Sequence, residues 1–243
     1  MTTSDDHKMT KQSLQIQELA IAIAAKNLNP AAINPDVIKY TNIIPAEWEL
    51  AAEPVYRNNL VQVIYKNGIG IIIEPNRINV VEIIGGKPPA EAQIAKIASQ
   101  LVDKLSQIDY QAIGINPKGF SIFPSETAAY QYMCGKLLAP GSWQEFRGSK
   151  VNPSLRLNYP FEKGGLNIDI NLVNVQLGEA INSAILFSGN LNYPLVSEST
   201  NDRIKQLQTV INNWQNSVGL FQKFILDKFL EVEETTKSAS VFQ

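Results

Sequence analysis

In 243 residues the chain has one histidine, His7, and one cysteine, Cys134. The histidine lies in a polar, charged start, Met1 to Gln12, that has little to bury. A histidine-based catalytic triad and any multi-histidine metal site are therefore excluded. One cysteine excludes an intramolecular disulfide and a cysteine-rich zinc site. Cys134 falls on the apolar face of a short predicted helix with no ordered histidine to activate it, so it reads as a buried, inert thiol. Neither sign of charge dominates: 21 Lys and Arg face 23 Asp and Glu, for a net charge of −2. This leaves no electrostatic footprint for nucleic acid, and no basic run suited to an anionic membrane surface. No apolar run approaches the roughly twenty residues of a spanning helix, and Met1 to Gln12 lacks the apolar core of a secretory signal. The expectation is a soluble cytoplasmic protein without cofactor, frayed at 1–12 and 233–243, with one domain over 13–232.

What is present is periodicity. From Asn201 to Val232, apolar residues fall at Ile204, Leu207, Ile211, Trp214, Val218, Phe221 and Ile225, in alternating steps of three and four. That spacing predicts an amphipathic helix, widened by Val210, Leu220, Phe224 and Phe229. About thirty helical residues span roughly 45 Å, longer than one face of an ordinary small sheet.

Upstream, the pattern has the period of strands. Leu14 to Ala25 alternates around Leu19, Ile21 and Ile23, with a change of phase near Glu18 that predicts a bulge; its alanines also suit a helix. Leu28 to Ile44 is a connection punctuated by Asn29-Pro30 and Asn34-Pro35, with one helical turn after Pro35. Leu60 to Lys66 and Ile69 to Glu74 flank Asn67-Gly68, which predicts a two-residue type I′ hairpin turn. Pro75-Asn76-Arg77 reverses the chain into a strand at 78–84, which Gly85-Gly86 ends. Pro88 or Pro89 opens a predicted helix through about Gln107. A strand follows over Tyr110 to Ile115, extended past a kink at Asn116-Pro117. Ser125 is the N-cap expected for a helix to about Leu138. Strands are expected at 155–161, 166–172 and 180–187, with Gly189-Asn190 turning the last.

The order of elements repeats. Strand, long connection, strands and closing helix fill 13–108, and the same order fills 109–232. Strands followed by helix predict an α+β protein: an antiparallel sheet of two similar strand-strand-strand-helix halves, helices on one face, and a long C-terminal helix. With the closing helix around Ile211-Asn212-Asn213-Trp214, and Phe221 and Phe224 near its end, this order resembles the SecB chaperone family and uncharacterised bacterial proteins with duplicated sheet-and-helix halves. The Asn- and Gln-rich style is similar to that of cyanobacterial proteins. The resemblance implies a sheet with packed helices and oligomers, and supplies no catalytic residue.

Candidate chemistry is sparse. Gly68-x-Gly70, Gly85-Gly86 and Gly164-Gly165 are turn signals, without the Gly-Lys-Ser/Thr ending of a phosphate loop. Asp169, between Asn167 and Asn171 on the polar phase of a strand, reads as a solvated sheet face; a metal or sugar site is the alternative. Trp143, Phe146 and Arg147 share a loop with a hot-spot composition, and Arg77 stands at a hairpin tip. These four are the candidate ligand- or partner-binding residues. Phe224, Ile225, Phe229 and Leu230 form an apolar cluster expected to be buried in a homodimer, or against strand 14–25 of the same chain. The functional expectation is a binding or assembly protein with a protein partner or its own copies. The alternatives are an enzyme using carboxylates or arginine, and a small-ligand binder in a sheet–helix cleft.

Overall fold

A computed structural model describes residues 12–33 and 35–230. His7, most of the expected N-terminal tail, the tail at 233–243 and the last two residues of the expected helix lie outside the described residues. Among the described residues the chain is α+β, with nine strands in one antiparallel sheet.

The first half begins with β1 (Gln15–Lys26), whose register against its neighbour shifts between Ile16 and Glu18, at the expected bulge. Helix α1 (Pro35–Tyr40) follows, then β2 (Val55–Arg57), β3 (Leu60–Ile64), β4 (Ile69–Glu74) and β5 (Arg77–Ile83). The β3–β4 turn differs from expectation. Gly68 has φ +87° but Asn67 is not at positive φ, and the Gly68 N–H donates to the Tyr65 carbonyl. The loop is therefore a three-residue turn, Lys66-Asn67-Gly68, with glycine alone in the left-handed position.

Helix α2 (Ile94–Lys104) starts later than Pro88–Pro89 suggested; the prolines make only a 3₁₀ turn. Its cap comes from across the fold. Glu82, buried on β5, accepts from the Gln93 and Ile94 N–H groups at 2.6 and 3.1 Å. Those two amides belong to the otherwise unpaired first turn, where a negative charge is favoured.

The second half opens with β6 (Asp109–Ile122), which runs unbroken through Asn116-Pro117, with Pro117 opposite Leu19 of β1. Ser125 caps α3 (Glu126–Gln131) through a 3.1 Å bond from the Ala128 N–H. A π-helical turn carries the chain on to Leu137. After a small hairpin, β7 (Glu145–Phe146) and β8 (Ser149–Lys150), come β9 (Ser154–Phe161), β10 (Gly164–Leu177) and β11 (Ala180–Pro194). The expected turn at Gly189-Asn190 is absent. Both residues lie inside β11, and Gly189 is needed for a close approach: a Cβ there would lie 2.6 Å from the Phe221 ring.

The long C-terminal helix is two helices, α4 (Thr200–Asn212) and α5 (Trp214–Ile225), followed by a π-helical turn to Leu230. They part at Asn213, whose side-chain amide and backbone N–H both donate to the Thr209 carbonyl.

The sheet order is β2-β3-β4-β5-β1-β6-β11-β10-β9. Alternate residues such as Leu19, Ile21, Ile23, Ile113, Ile115, Ile168 and Ile170 face a single core shared with the buried apolar residues of α1 to α5. The helices therefore cover one face. The other carries Ala20 and Ala22 of β1 and the polar residues of β6, β11, β10 and β9. No described helix is long and apolar enough to cross a membrane.

Candidate functional site

A wide opening lies where α4 and α5 pass β11 and the β9–β10 turn. One cavity of about 540 Å³ is bounded by Tyr193, Leu195, Val196, Gln206 and Val210, with Glu162 and Lys163 at its mouth. A second, of about 240 Å³, continues from Tyr193 and Val210 to Ser217 and Leu220. From Gln206 to Leu220 the groove follows about 21 Å of helix. Its walls are apolar and only partly covered: Val196 is 79% exposed and Leu220 53%. Phe161 stands 6.0 Å from the Tyr193 ring.

Two polar features sit in these walls. The Tyr193 and Ser217 hydroxyls bond each other at 2.9 Å. The Gln206 Oε1 is buried and has no hydrogen-bond partner among the described residues. That oxygen is enclosed by the protein, so a molecule in the groove does not reach it.

The sequence candidates do not converge here or on each other. Arg77 sits at the β4–β5 tip, paired through Ala24 with Ala112, ten residues and about 33 Å of β6 from the end that leads to α3. Trp143, Phe146 and Arg147 lie beyond that far end. Trp143 is 47% exposed and Phe146 74%, so neither plugs the core. Arg147 occupies the β7–β8 turn at φ +52°, its guanidinium 5.3 Å from the Phe146 ring. A neighbouring cavity of about 380 Å³ is bounded by Glu126, Tyr130, Lys150 and Asn174, and none of those three lines it.

The C-terminal cluster is packed within the chain. Ile225, Phe229 and Leu230 are buried, and Phe224 is half-buried against Tyr159 at 5.1 Å. Phe229 packs 5.9 Å from Phe187 of β11, and its carbonyl accepts from the Tyr132 hydroxyl at 2.7 Å. The described ring and hydrogen-bond contacts of the cluster thus come from β9, β11 and the turn after α3.

Among the described residues no three His, Cys, Asp or Glu side chains come together as a metal site would need. Cys134 is buried. Asp169 is held by Arg156 at 2.6 and 3.1 Å. Three tyrosine shifts are those of core residues: burial pushes Tyr65 up to about 12 and raises Tyr110 and Tyr132 still further.

Sequence reasoning missed the groove. Its one signal was the breadth of the C-terminal stripe: Val210 and Leu220 are apolar positions beyond those the sheet covers. No protein-family model matches the chain, and no curated protein matches it.

Proposed function

We propose that the chain is a non-enzymatic binding protein that takes an extended, largely apolar polypeptide segment into the groove along α4 and α5. The observation that carries this is the pair of apolar cavities that meet at Tyr193 and Val210, with Val196 and Leu220 left exposed along them. Apolar side chains of a bound strand would fill the space beside Val196, Val210 and Leu220. The elongated shape favours a chain over a compact ligand, since pockets for small molecules enclose most of their ligand's surface. A cytoplasmic location and the resemblance to SecB-like proteins belong to the same reading.

Two matching halves are part of this reading too. In each, a first strand is followed by a short helix, and a meander returns its last strand beside the first before a closing helix. The halves meet at β1 and β6. This order supports a duplication of 13–108 and 109–232.

The test is fluorescence anisotropy with a labelled ten-residue peptide of alternating leucine and serine. Saturable binding is expected, weakened at least about tenfold, or ~1.4 kcal/mol, by Val210→Asp and by Leu220→Asp. Peptide binding unchanged in both variants would discard the groove. Saturable binding of a medium-chain fatty acid without the peptide would replace this reading by the small-ligand one.

A further inference from the structure

The face of the sheet away from the helices carries a row of four asparagines on adjacent strands. Asn158 of β9 donates to Asn167 of β10 at 2.6 Å, Asn167 to Asn190 of β11 at 3.3 Å, and Asn190 to Asn116 of β6 at 2.6 Å. The bonds all run one way, toward the sheet centre. The Nδ2 groups of Asn158, Asn167 and Asn190 donate inward, and the Oδ1 of Asn158, at the sheet margin, accepts from no described residue.

That margin is an open edge. The two-residue turn at Glu162 and Lys163 closes β9 and β10 on the pair Phe161 and Gly164. The backbone groups of Phe161, Tyr159, Leu157 and Leu155 therefore bond β10, and those of Ser154, Arg156, Asn158 and Pro160 point outward. Pro160 has no N–H to lose there, as suits an edge strand. The opposite margin, β2, has only three residues, whereas β9 has eight. On the helix side of β9, Leu155 and Leu157 are half-buried, and Tyr159 and Phe161 remain 36% and 39% exposed. A long edge with apolar side chains is a template for another strand.

We propose that β9 pairs antiparallel with β9 of a second copy, across a two-fold axis between the two Leu157 residues. This goes beyond the groove reading and does not depend on it. The register is self-complementary. Arg156 faces the partner's Asn158, and Asn158 faces the partner's Arg156. Arg156 uses Nε and Nη2 on Asp169, which leaves Nη1 to donate to the unpaired Oδ1 of the partner's Asn158. The amide row then continues across the axis. Leu157 meets the partner's Leu157, and Leu155 meets the partner's Tyr159, which extends the apolar face. The missing proline donor falls at the end of the paired segment, opposite the partner's Ser154. A partner strand of other sequence has no reason to present arginine and asparagine in this alternation. The same antiparallel side-by-side join already links β1 to β6 within the chain.

Leu157→Cys tests the register. In this arrangement position 157 faces itself in a non-hydrogen-bonded pair, close enough for a disulfide. The native Cys134 is buried and does not compete. Mild oxidation is expected to give a covalent dimer of L157C and none of E162C. Light scattering on the wild type at micromolar concentration should show twice the 26.9 kDa chain mass. Asn158→Pro removes an outward N–H without touching the β10 ladder, and should raise the dimer dissociation constant about a hundredfold. Should N158P fail to fold, Arg156→Glu, at an exposed position, is expected to dissociate the dimer likewise. A monomeric wild type, a dimer that survives both N158P and R156E, or L157C that does not cross-link would each overturn the proposal.

Discussion

Gly189 of β11 lies directly beneath Phe221 of α5, with two ring carbons 2.6 and 2.7 Å from where a Cβ on Gly189 would sit. Pro117 stands 3.3 Å from the same point. The glycine lets the helix settle onto the strand, and Phe221 is fully buried as a result. Gly189→Ala is expected to cost about 1–3 kcal/mol, the range for overpacking a filled core. A lower urea midpoint with an unchanged m-value would show it. A midpoint equal to wild type would mean that Phe221 has room to move.

Glu82 is the buried carboxylate that holds the start of α2. Glu82→Ala leaves the Gln93 and Ile94 N–H groups without their acceptor, so a loss of about 1–3 kcal/mol is expected. Glu82→Gln keeps an acceptor oxygen and should recover part of that loss. Hydrogen exchange localises the effect: the first-turn amides of α2 should lose protection before the strands do. Equal damage from both variants would count against capping as the role of this side chain.

Gly68 and Gly86 separate conformational strain from contact. Both have strongly positive φ, +87° and +96°. A Cβ on Gly68 would lie 3.0 Å from the Ile83 carbonyl oxygen, whereas one on Gly86 meets nothing within 4 Å. Valine at either position strains the backbone by about 1–3 kcal/mol. Gly68→Val should be the more damaging of the two, because it also strikes Ile83. Thermal melting of the pair decides this, and equal shifts would remove the contact from the explanation.

Alkaline pH should unfold the protein through its buried tyrosines. Burial raises the Tyr65 hydroxyl from an ordinary value of 10.0 to about 12. Tyr110 is raised by burial and, less, by Asp103, and Tyr132 by burial. A folded value above the unfolded one means that the stabilisation is complete below pH 10. It is lost as pH rises through about 12, because the unfolded chain ionises first. Urea midpoints should therefore hold at neutral pH and fall steadily above about pH 10. Tyr65→Phe keeps the ring packed 5.5 Å from Trp48 and should make that fall shallower. The same slope in wild type and Y65F would exclude Tyr65 as a contributor.

Much of the scaffold was legible because period is local. The alternation at Leu19, Ile21 and Ile23 and the three-four steps from Ile204 to Ile225 state which side of each element is apolar, and the structure buries those sides. Ser125 was legible as a cap for the same reason, since its partner, Ala128, is three residues away. The candidate sites were less legible. Trp143, Phe146 and Arg147 were chosen for residue type, and the fold sets them on an exposed hairpin and the 3₁₀ turn before it, far from Arg77.

What the sequence determined by itself was the face of each strand and helix, and hence an α+β sheet with helices on one side. Tertiary structure alone decided how those faces meet. The cap of α2 comes from Glu82, a residue of another element. Asn190, which looked like a turn residue, reaches Asn116 across 74 positions of chain. The groove beside Val210 exists only once α4 and α5 lie on the sheet beside Tyr193 of β11. The physical reason is that side-chain periodicity is repeated within every element, whereas strand register and close approach are properties of pairs distant in sequence, set by packing and by the satisfaction of buried polar groups.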